Sequence, residues 1–303
     1  MKTIGILVST RKKKPKYKRP IEQVSHPELN LIFGSQISII DNQVFLENKR
    51  IDALYDRFPS RILSQHYPSL VSCSVPISNP PSINRMFEDK VQTQFFLEQH
   101  NLPVPELSIS KFKETMAKWD NLAIVKPRFG AFGTGVYLSQ NPPPLKTKGL
   151  CGPEQTIIQR YIRPPFGYKG ISLRQLMLRN VDHSWFFPPP IARCSKTDVI
   201  VNASRGALLF PAGDILPKHT LNSVKKLSQE VGAALSSIPD HIWLVEVGLD
   251  FVVDEDWNPW LIEINGQPKG RYEEIANQRG GAWAQRHSDT VKKPLMTLLE
   301  WIS

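Results

Sequence analysis

Cysteine is scarce in this chain. There are three, Cys73, Cys151 and Cys194, an odd number at wide spacing. No CxxC occurs, and the seven histidines form no HExxH. Both facts argue against a zinc site and a disulfide framework, and for a reducing, cytoplasmic setting. Long apolar runs are missing as well. None approaches the ~20 residues that span a bilayer, so no membrane partner is expected. The opening MKTIGILVST has too short an apolar run for a signal peptide, and its basic residues follow that run instead of preceding it. Internal repeats, a helix-turn-helix pattern and an RNA-binding aromatic signature are absent too.

What is present fits a soluble globular protein: 41% hydrophobic and 22% charged residues. A length of 303 residues exceeds one typical core, so two or three subdomains are expected. The net charge is +10, and seven basic residues crowd into Arg11–Arg19, RKKKPKYKR. Such a run reads as a nucleic-acid or membrane contact, a solvated loop, or a funnel for anionic substrates. Without an accompanying nucleic-acid motif, the first of these is disfavoured.

Taken in order, Thr3–Val8 reads as a buried strand, followed by the basic loop. Leu31–Phe33, Val44–Leu46 and Ala53–Tyr55 read as further strands, with a turn at Asp41-Asn42-Gln43. Ligands of open α/β sheets sit beyond strand carboxyl ends. Arg57, after Ala53–Tyr55, is therefore a candidate substrate contact, with a surface salt bridge as the plain alternative. Ser82–His100 reads as one helix with Met86, Phe87, Val91, Phe95, Phe96 and Leu97 on its apolar face and Ser82 or Asn84 as cap. Lys90 falls inside it. Leu122–Val125 is a strand leading into Lys126-Pro127 and a loop with Gly130, Gly133 and Gly135. Glycines let backbone N–H groups approach a phosphate, and a lysine beside them neutralises it. A strand follows these glycines and no GK[ST] does, so this is neither a Walker loop nor a dinucleotide fingerprint. An ordinary hairpin also accounts for it.

Thr156–Ile162 and Ile171–Leu178 read as strands, and Leu221–Ile238 and Val291–Ile302 as helices. Arg174 sits among apolar residues and needs an anionic partner. The most informative stretch is Leu244–Arg271, LVEVGLDFVVDEDWNPWLIEINGQPKGR. It reads as a hairpin with Glu246, Gly248 and Asp250 on one face and Val245, Val247, Leu249 and Phe251 on the other. Its second strand puts Glu263 and Asn265 on one face, and Trp260, Ile262 and Ile264 opposite. If the strands pair, Asp250, Glu263 and Asn265 share a face. Two carboxylates and an amide suit Mg²⁺; a solvated acidic face is the plain reading.

These segments, in this order, resemble the ATP-grasp superfamily. The resemblance rests on Lys90, VKPRFGAFGTGV, IIQRYI, LRQLML, VNASRG and DFVVDEDWNPWLIEIN, and covers roughly residues 80–270. Within the superfamily the chain most resembles the YheC/YheD group of Bacillus spore-coat-associated proteins, through ALYDRFPSR and NPPSINRMFEDK. It is also similar to the ribosomal-protein glutamate ligases and the glutathione-synthetase-like ligases. The resemblance implies an α/β (α+β) ATP-grasp fold. It divides into an N-terminal α/β domain (1–80), a central subdomain (81–162) and a C-terminal subdomain with the metal site (163–303), the last two clasping the nucleotide.

The implied cofactors are ATP and Mg²⁺, with Mn²⁺ as the alternative ion. Asp250, Glu263 and Asn265 would hold the metal, and Lys90 and Lys126 the phosphates. Gly130, Gly133 and Gly135 would fold over those phosphates, and Gln159, Arg160, Tyr161 and Ile162 would form the strand beside adenine. Arg174, with Arg193 and Asn202 as weaker candidates, would hold the transferring phosphoryl group. Arg271 would contact the substrate carboxylate, with a structural salt bridge or turn contact as the plain alternative for Arg193, Asn202 and Arg271. The implied chemistry is amide or peptide bond formation through an acyl phosphate, with a small-molecule, peptide or carrier-protein acceptor. A catalytically silent assembly protein and a phosphotransferase remain alternatives. Two departures stand out: Ser172 replaces an Asp two residues before Arg174, and Arg160 replaces an acidic residue after Gln159. Glu246 reads either as support for the metal site or as a solvated strand residue.

Overall fold

The computed structural model describes residues 1–8, 18–58, 67–130, 133–140, 155–201, 206–268 and 270–303. The first unit is a four-stranded parallel sheet in the order Leu29–Gly34, Lys2–Leu7, Ala53–Asp56, Ile77–Ser78. Its central strands are continuous apolar runs because both faces are covered. One face packs through Ile4, Ile6 and Ala53 on Leu295, Leu298 and Leu299 of the last helix, Gly281–Ile302. The end of the chain thus completes the core of its beginning. A small antiparallel sheet of Ile37–Ile40, Gln43–Leu46 and Lys49–Arg50 covers the other face through Val44 and Leu46.

Next comes a four-stranded antiparallel sheet, ordered Tyr137–Leu138, Ala123–Pro127, Thr156–Arg160, Leu107–Ser108. The segment expected as one helix over Ser82–His100 is two helices, Pro81–Glu88 and Lys90–Gln99. The break is Asp89. Its φ of −89° and ψ of 102° are extended, and its carboxylate accepts from the Val91 and Gln92 amides as cap of the second helix. Neither Ser82 nor Asn84 caps the first: Pro80 holds that place without a side-chain bond, and Asn84 is buried. Phe95, expected on the apolar face, is 62% exposed, because the helix break rotates the second half relative to the first.

The largest sheet has the antiparallel order Leu208–Pro211, Ile191–Ser195, Gly170–Arg179, Glu246–Val253, Pro259–Asn265. Period-two alternation splits its residues cleanly. Leu173, Met177, Val247, Leu249 and Phe251 face a core shared with Val224, Val231 and Leu235 of the helix Lys218–Leu235. Ser172, Arg174, Glu246, Gly248 and Asp250 alternate with them along the same strands, on the opposite face.

The hairpin departs from strict alternation at one point. Asp250 pairs with Glu263, but Phe251 pairs with Leu261, so the register shifts by one residue at Ile262. Leu261 and Ile264 are therefore the buried residues of that strand, at 1% exposure each, and Ile262 turns to the site face. The expected row of Trp260, Ile262 and Ile264 is broken by this bulge.

Candidate active site

A cavity of about 180 Å³ lies between the central sheet and the site face of the large sheet. One wall comes from the Ala123–Pro127 strand, which runs on through Lys126 instead of ending before it. Lys126 is 7% exposed, and its Nζ donates to Gln159 Oε1 at 2.8 Å. Burial, then repulsion from Lys90, push its pKa down to about 8, with Glu263 pulling the other way. Lys90 lies at the first turn of its helix and donates from Nζ to the Gly130 carbonyl at 2.9 Å. Gly130, Gly133 and Gly135 all have positive φ, the backbone freedom that a chain reversal over this wall requires. Gly130 and Gly133 line the cavity.

The mutual placement of the two lysines depends on a residue the sequence reading passed over. Asp89 receives Arg128 Nε at 2.8 Å and Nη2 at 2.6 Å, and the Lys90 amide donates to the Arg128 carbonyl at 3.2 Å. Asp89 therefore ties the end of the lysine strand to the start of the lysine helix. No local signal marked it, because Asp89 sits inside an unbroken helical period of the sequence.

Arg160, Tyr161 and Ile162 line the same cavity beyond this strand pair. Gln159 lines the cavity with them. It is 3% exposed, holds Lys126 through Oε1, and donates from Nε2 to Gln94 Oε1 at 3.3 Å. It braces the lysine from behind.

The opposite wall carries Asp250, Glu263 and Arg193. Asp250 is 5% exposed and accepts four hydrogen bonds. Oδ1 takes Arg174 Nε at 2.6 Å and Arg193 Nη2 at 2.6 Å; Oδ2 takes Arg174 Nη2, and Asn265 Nδ2 at 3.0 Å. The register explains this convergence, since Arg174 is directly opposite Asp250 on the neighbouring strand. Burial pushes the Asp250 carboxyl up, and Arg174 and Arg193 pull it further down, below the usual carboxylate range. Burial outweighs Asp250 at Arg193, whose pKa is lowered, and both Arg174 and Arg271 add to that repulsion.

Glu263 and Asn265 face the site from the adjoining strand, and Glu263 accepts no hydrogen bond among the described residues. The donor set suits a hard cation, which takes one or two carboxylates and completes its shell with phosphate and water oxygens. Glu263 and the Asn265 side-chain oxygen are the available ligands. All four acceptor positions of Asp250 are taken, so it joins a metal only by giving up a guanidinium or amide bond. Two buried polar atoms at this wall lack a partner among the described residues: Ser172 Oγ and Arg193 Nε.

The remaining expected contacts lie elsewhere. Arg57 is no surface pair: its side chain is 9% exposed and bonds the buried Glu246, with Tyr55 Oη donating to the same Glu246 oxygen at 2.8 Å. Glu246 is thus neither solvated nor part of the Asp250 cluster. Arg271 caps the helix Tyr272–Arg279 with a φ of 64° and pairs with Glu274 at 2.7 Å. Asn202 and the Arg11–Tyr17 part of the basic run lie outside the described residues. No helix among the described residues is long and apolar enough to cross a membrane.

A family model described as YheC/D-like ATP-grasp matches residues 144–288. The chain is 24% identical over 259 residues to the endospore coat-associated protein YheD of Bacillus subtilis (strain 168). That match covers 72% of this chain and 56% of the relative, so the chain spans little more than half of that protein's length. Among solved structures, D-alanyl-alanine synthetase A of Vibrio cholerae superposes with a TM-score of 0.64 at 12% identity, covering 97% of this chain and 98% of that one. N5-carboxyaminoimidazole synthetase of Staphylococcus aureus, complexed with ADP, gives 0.67 at 13% identity, with 99% and 77% coverage. A RimK domain ATP-grasp protein of Sphaerobacter thermophilus gives 0.61 at 12% identity, with 98% and 99% coverage. The chain has the ATP-grasp fold, and residues 144–288 resemble the YheC/D-like ATP-grasp family.

Proposed function

We propose that this chain is an ATP-dependent carboxylate–amine ligase. The observation that carries the reading is the convergence of Lys90 and Lys126 on one wall of the cavity with Asp250, Glu263 and Arg193 on the other, Arg174 and Asn265 bonding Asp250 beside them. The synthetase names of two structural neighbours support the same class. A carboxylate attacking the γ-phosphate of ATP brings two anions together, so catalysis needs cations fixed in advance. In this reading Lys126 and Lys90 would bind the nucleotide phosphates. Arg193 and Arg174, held by Asp250, would hold the phosphoryl group in transit. Arg193 Nε and Ser172 Oγ, unpartnered among the described residues, have hydrogen-bonding capacity left for that group.

The balance is simple. The carboxylate oxygen forms a bond to the γ-phosphorus and ADP leaves; the amine then bonds the acyl carbon, and orthophosphate leaves with loss of one amine proton. Mg²⁺, held by Glu263 and Asn265, would supply charge neutralisation at the phosphates. The Arg174–Asp250–Arg193 arrangement fixes both guanidiniums before substrate arrives, so little reorganisation is needed at the moment of reaction.

The description of the Bacillus subtilis relative favours a second reading, an assembly role in a coat layer. ADP formation separates the two. Mg²⁺-ATP is offered with a panel of amino acids and short peptides, beside Lys126→Met and Glu263→Gln. Ligation requires ADP and orthophosphate that depend on both a carboxylate and an amine and disappear in both variants. ADP without amine dependence, but with a phosphorylated hydroxyl product, would identify a phosphotransferase instead. ATP binding without turnover on any pair would favour the assembly role.

A further inference from the structure

A second cavity, of about 150 Å³, opens between the first sheet, the large sheet and the last two helices. Glu246, Tyr55 and Arg57 line it on one side, and Arg271, His287 and Thr290 on the other. Glu246 is 5% exposed. Both of its side-chain hydrogen bonds fall on Oε1, from Tyr55 Oη and Arg57 Nη1. Among the described residues no hydrogen bond to Oε2 is found, and Glu246 lines the cavity, so this oxygen is left over at the cavity wall.

The two cavities share one strand face. Glu246, Gly248 and Asp250 follow each other at two-residue steps of about 7 Å. Arg174 lies over the middle of the three: a Cβ on Gly248 would stand 3.3 Å from Arg174 Cδ and 2.6 Å from Pro268 Cβ. The arginine and the proline therefore form the partition between the cavities. A group bound at Glu246 sits about one step, roughly 7 Å, from the guanidinium placed for the phosphoryl group. Two extended residues span about that distance.

We propose that this cavity is the substrate subsite and that Glu246 Oε2 receives a primary ammonium on a substrate of about dipeptide length. This rests on the ligase reading for what happens next, but not for the binding itself. Arg57 and Tyr55 keep the carboxylate oriented through Oε1, leaving Oε2 for the guest. Among the described lining residues, Glu246, Glu273 and Glu274 stand against Arg57 and Arg271. This balance admits a cationic group, in contrast to the chain's overall charge of +10. Burial holds the Glu246 pKa above its ordinary value, against Arg57 and Tyr55, and an ammonium would bring it back down.

The test is saturation-transfer NMR on the full chain with glycylglycine, and with N-acetylglycylglycine, which keeps the carboxylate and lacks the ammonium. The wild type should transfer to glycylglycine and not to its acetylated form. Glu246→Gln should weaken glycylglycine binding by about 10- to 100-fold, the scale of a charge-assisted hydrogen bond. Thr290→Phe should block binding by filling the cavity without touching the ion pair, and it decides the matter if Glu246→Gln fails to fold. No transfer in the wild type, equal transfer to both peptides, or binding unchanged in the folded variants would overturn the proposal. ADP formation is measured separately. Glycylglycine binding that depends on Glu246, without ADP from any substrate pair, would remove the ligase reading and leave the ammonium site standing.

Discussion

The two cavities sit on the same strand, yet their leftover hydrogen-bonding capacity has opposite character. In the first, the orphaned atoms include a guanidinium nitrogen, Arg193 Nε, and a hydroxyl, Ser172 Oγ. In the second it is a carboxylate oxygen, Glu246 Oε2. Each carboxylate on this strand face is bound by arginine, but Asp250 is saturated by four bonds while Glu246 is filled on one oxygen only. The stoichiometry makes the difference. Two arginines and an amide converge on Asp250, one arginine and a phenol on Glu246. A saturated carboxylate serves to hold cations in place for an anion; a half-filled one is itself a receptor for a cation.

Removing the saturated anion tests this contrast most severely. Asp250→Asn leaves two guanidiniums, with side chains 13% and 12% exposed, without their counter-charge. Breaking a buried pair in this way costs about 3–5 kcal/mol. Urea denaturation should show at least that loss, together with loss of ADP formation. A smaller loss in Asp250→Asn than in Glu246→Gln would invert the comparison.

The second lever is proton occupancy at Lys126. Its pKa is about 8 in the fold against 10.5 in the unfolded chain. Between those values the unfolded chain binds more protons, so folding stability rises with pH across that window, by about 3 kcal/mol at most. Nucleotide affinity should move the other way. Phosphate prefers the charged lysine, so calorimetric Mg²⁺-ATP binding should weaken as pH rises through about 8. Glycylglycine binding at the second cavity should show no step attributable to Lys126.

A methyl group at the partition is the third probe. Gly248→Ala would collide with Pro268 and press on Arg174. Overpacking of this kind costs about 1–3 kcal/mol. Turnover should fall more than Mg²⁺-ATP affinity, because the displaced group is the arginine between the cavities. If both fall equally, the partition has no role of its own.

The smallest effect is expected at Ser172. Its hydroxyl is buried without a partner, so Ser172→Ala should change stability by less than about 1 kcal/mol, in either direction. A several-fold rise in the Mg²⁺-ATP dissociation constant, with that stability intact, would show the hydroxyl is kept for the ligand. No change in affinity would leave Arg193 as the first cavity's only spare donor of this pair.

Much of this architecture was legible before any coordinates. Alternation in Leu244–Phe251 gave the core face and the site face correctly, because one face of that strand is fully apolar and a register slip would bury Asp250 in it. The strand runs around Lys126, Gln159 and Arg174 were visible for the same reason. The break at Asp89 was not, because Glu88-Asp89-Lys90 lies within an uninterrupted helical period, and only the bond from Arg128 shows why the chain turns there. The bulge at Ile262 was equally hidden, since Leu261 and Ile262 are chemically equivalent choices for the core.

The sequence by itself determined which residues alternate, which carry charge, and that Asp250, Glu263 and Asn265 share a strand face. Those follow from local period and residue type. Only the tertiary structure decided what each charge meets. Arg57 and Glu246 are 189 positions apart, and Arg174 and Asp250 are 76 apart. No local rule couples such pairs; sheet register does. It set four donors around Asp250 and two on one oxygen of Glu246, and so made one strand face the boundary between two differently charged cavities.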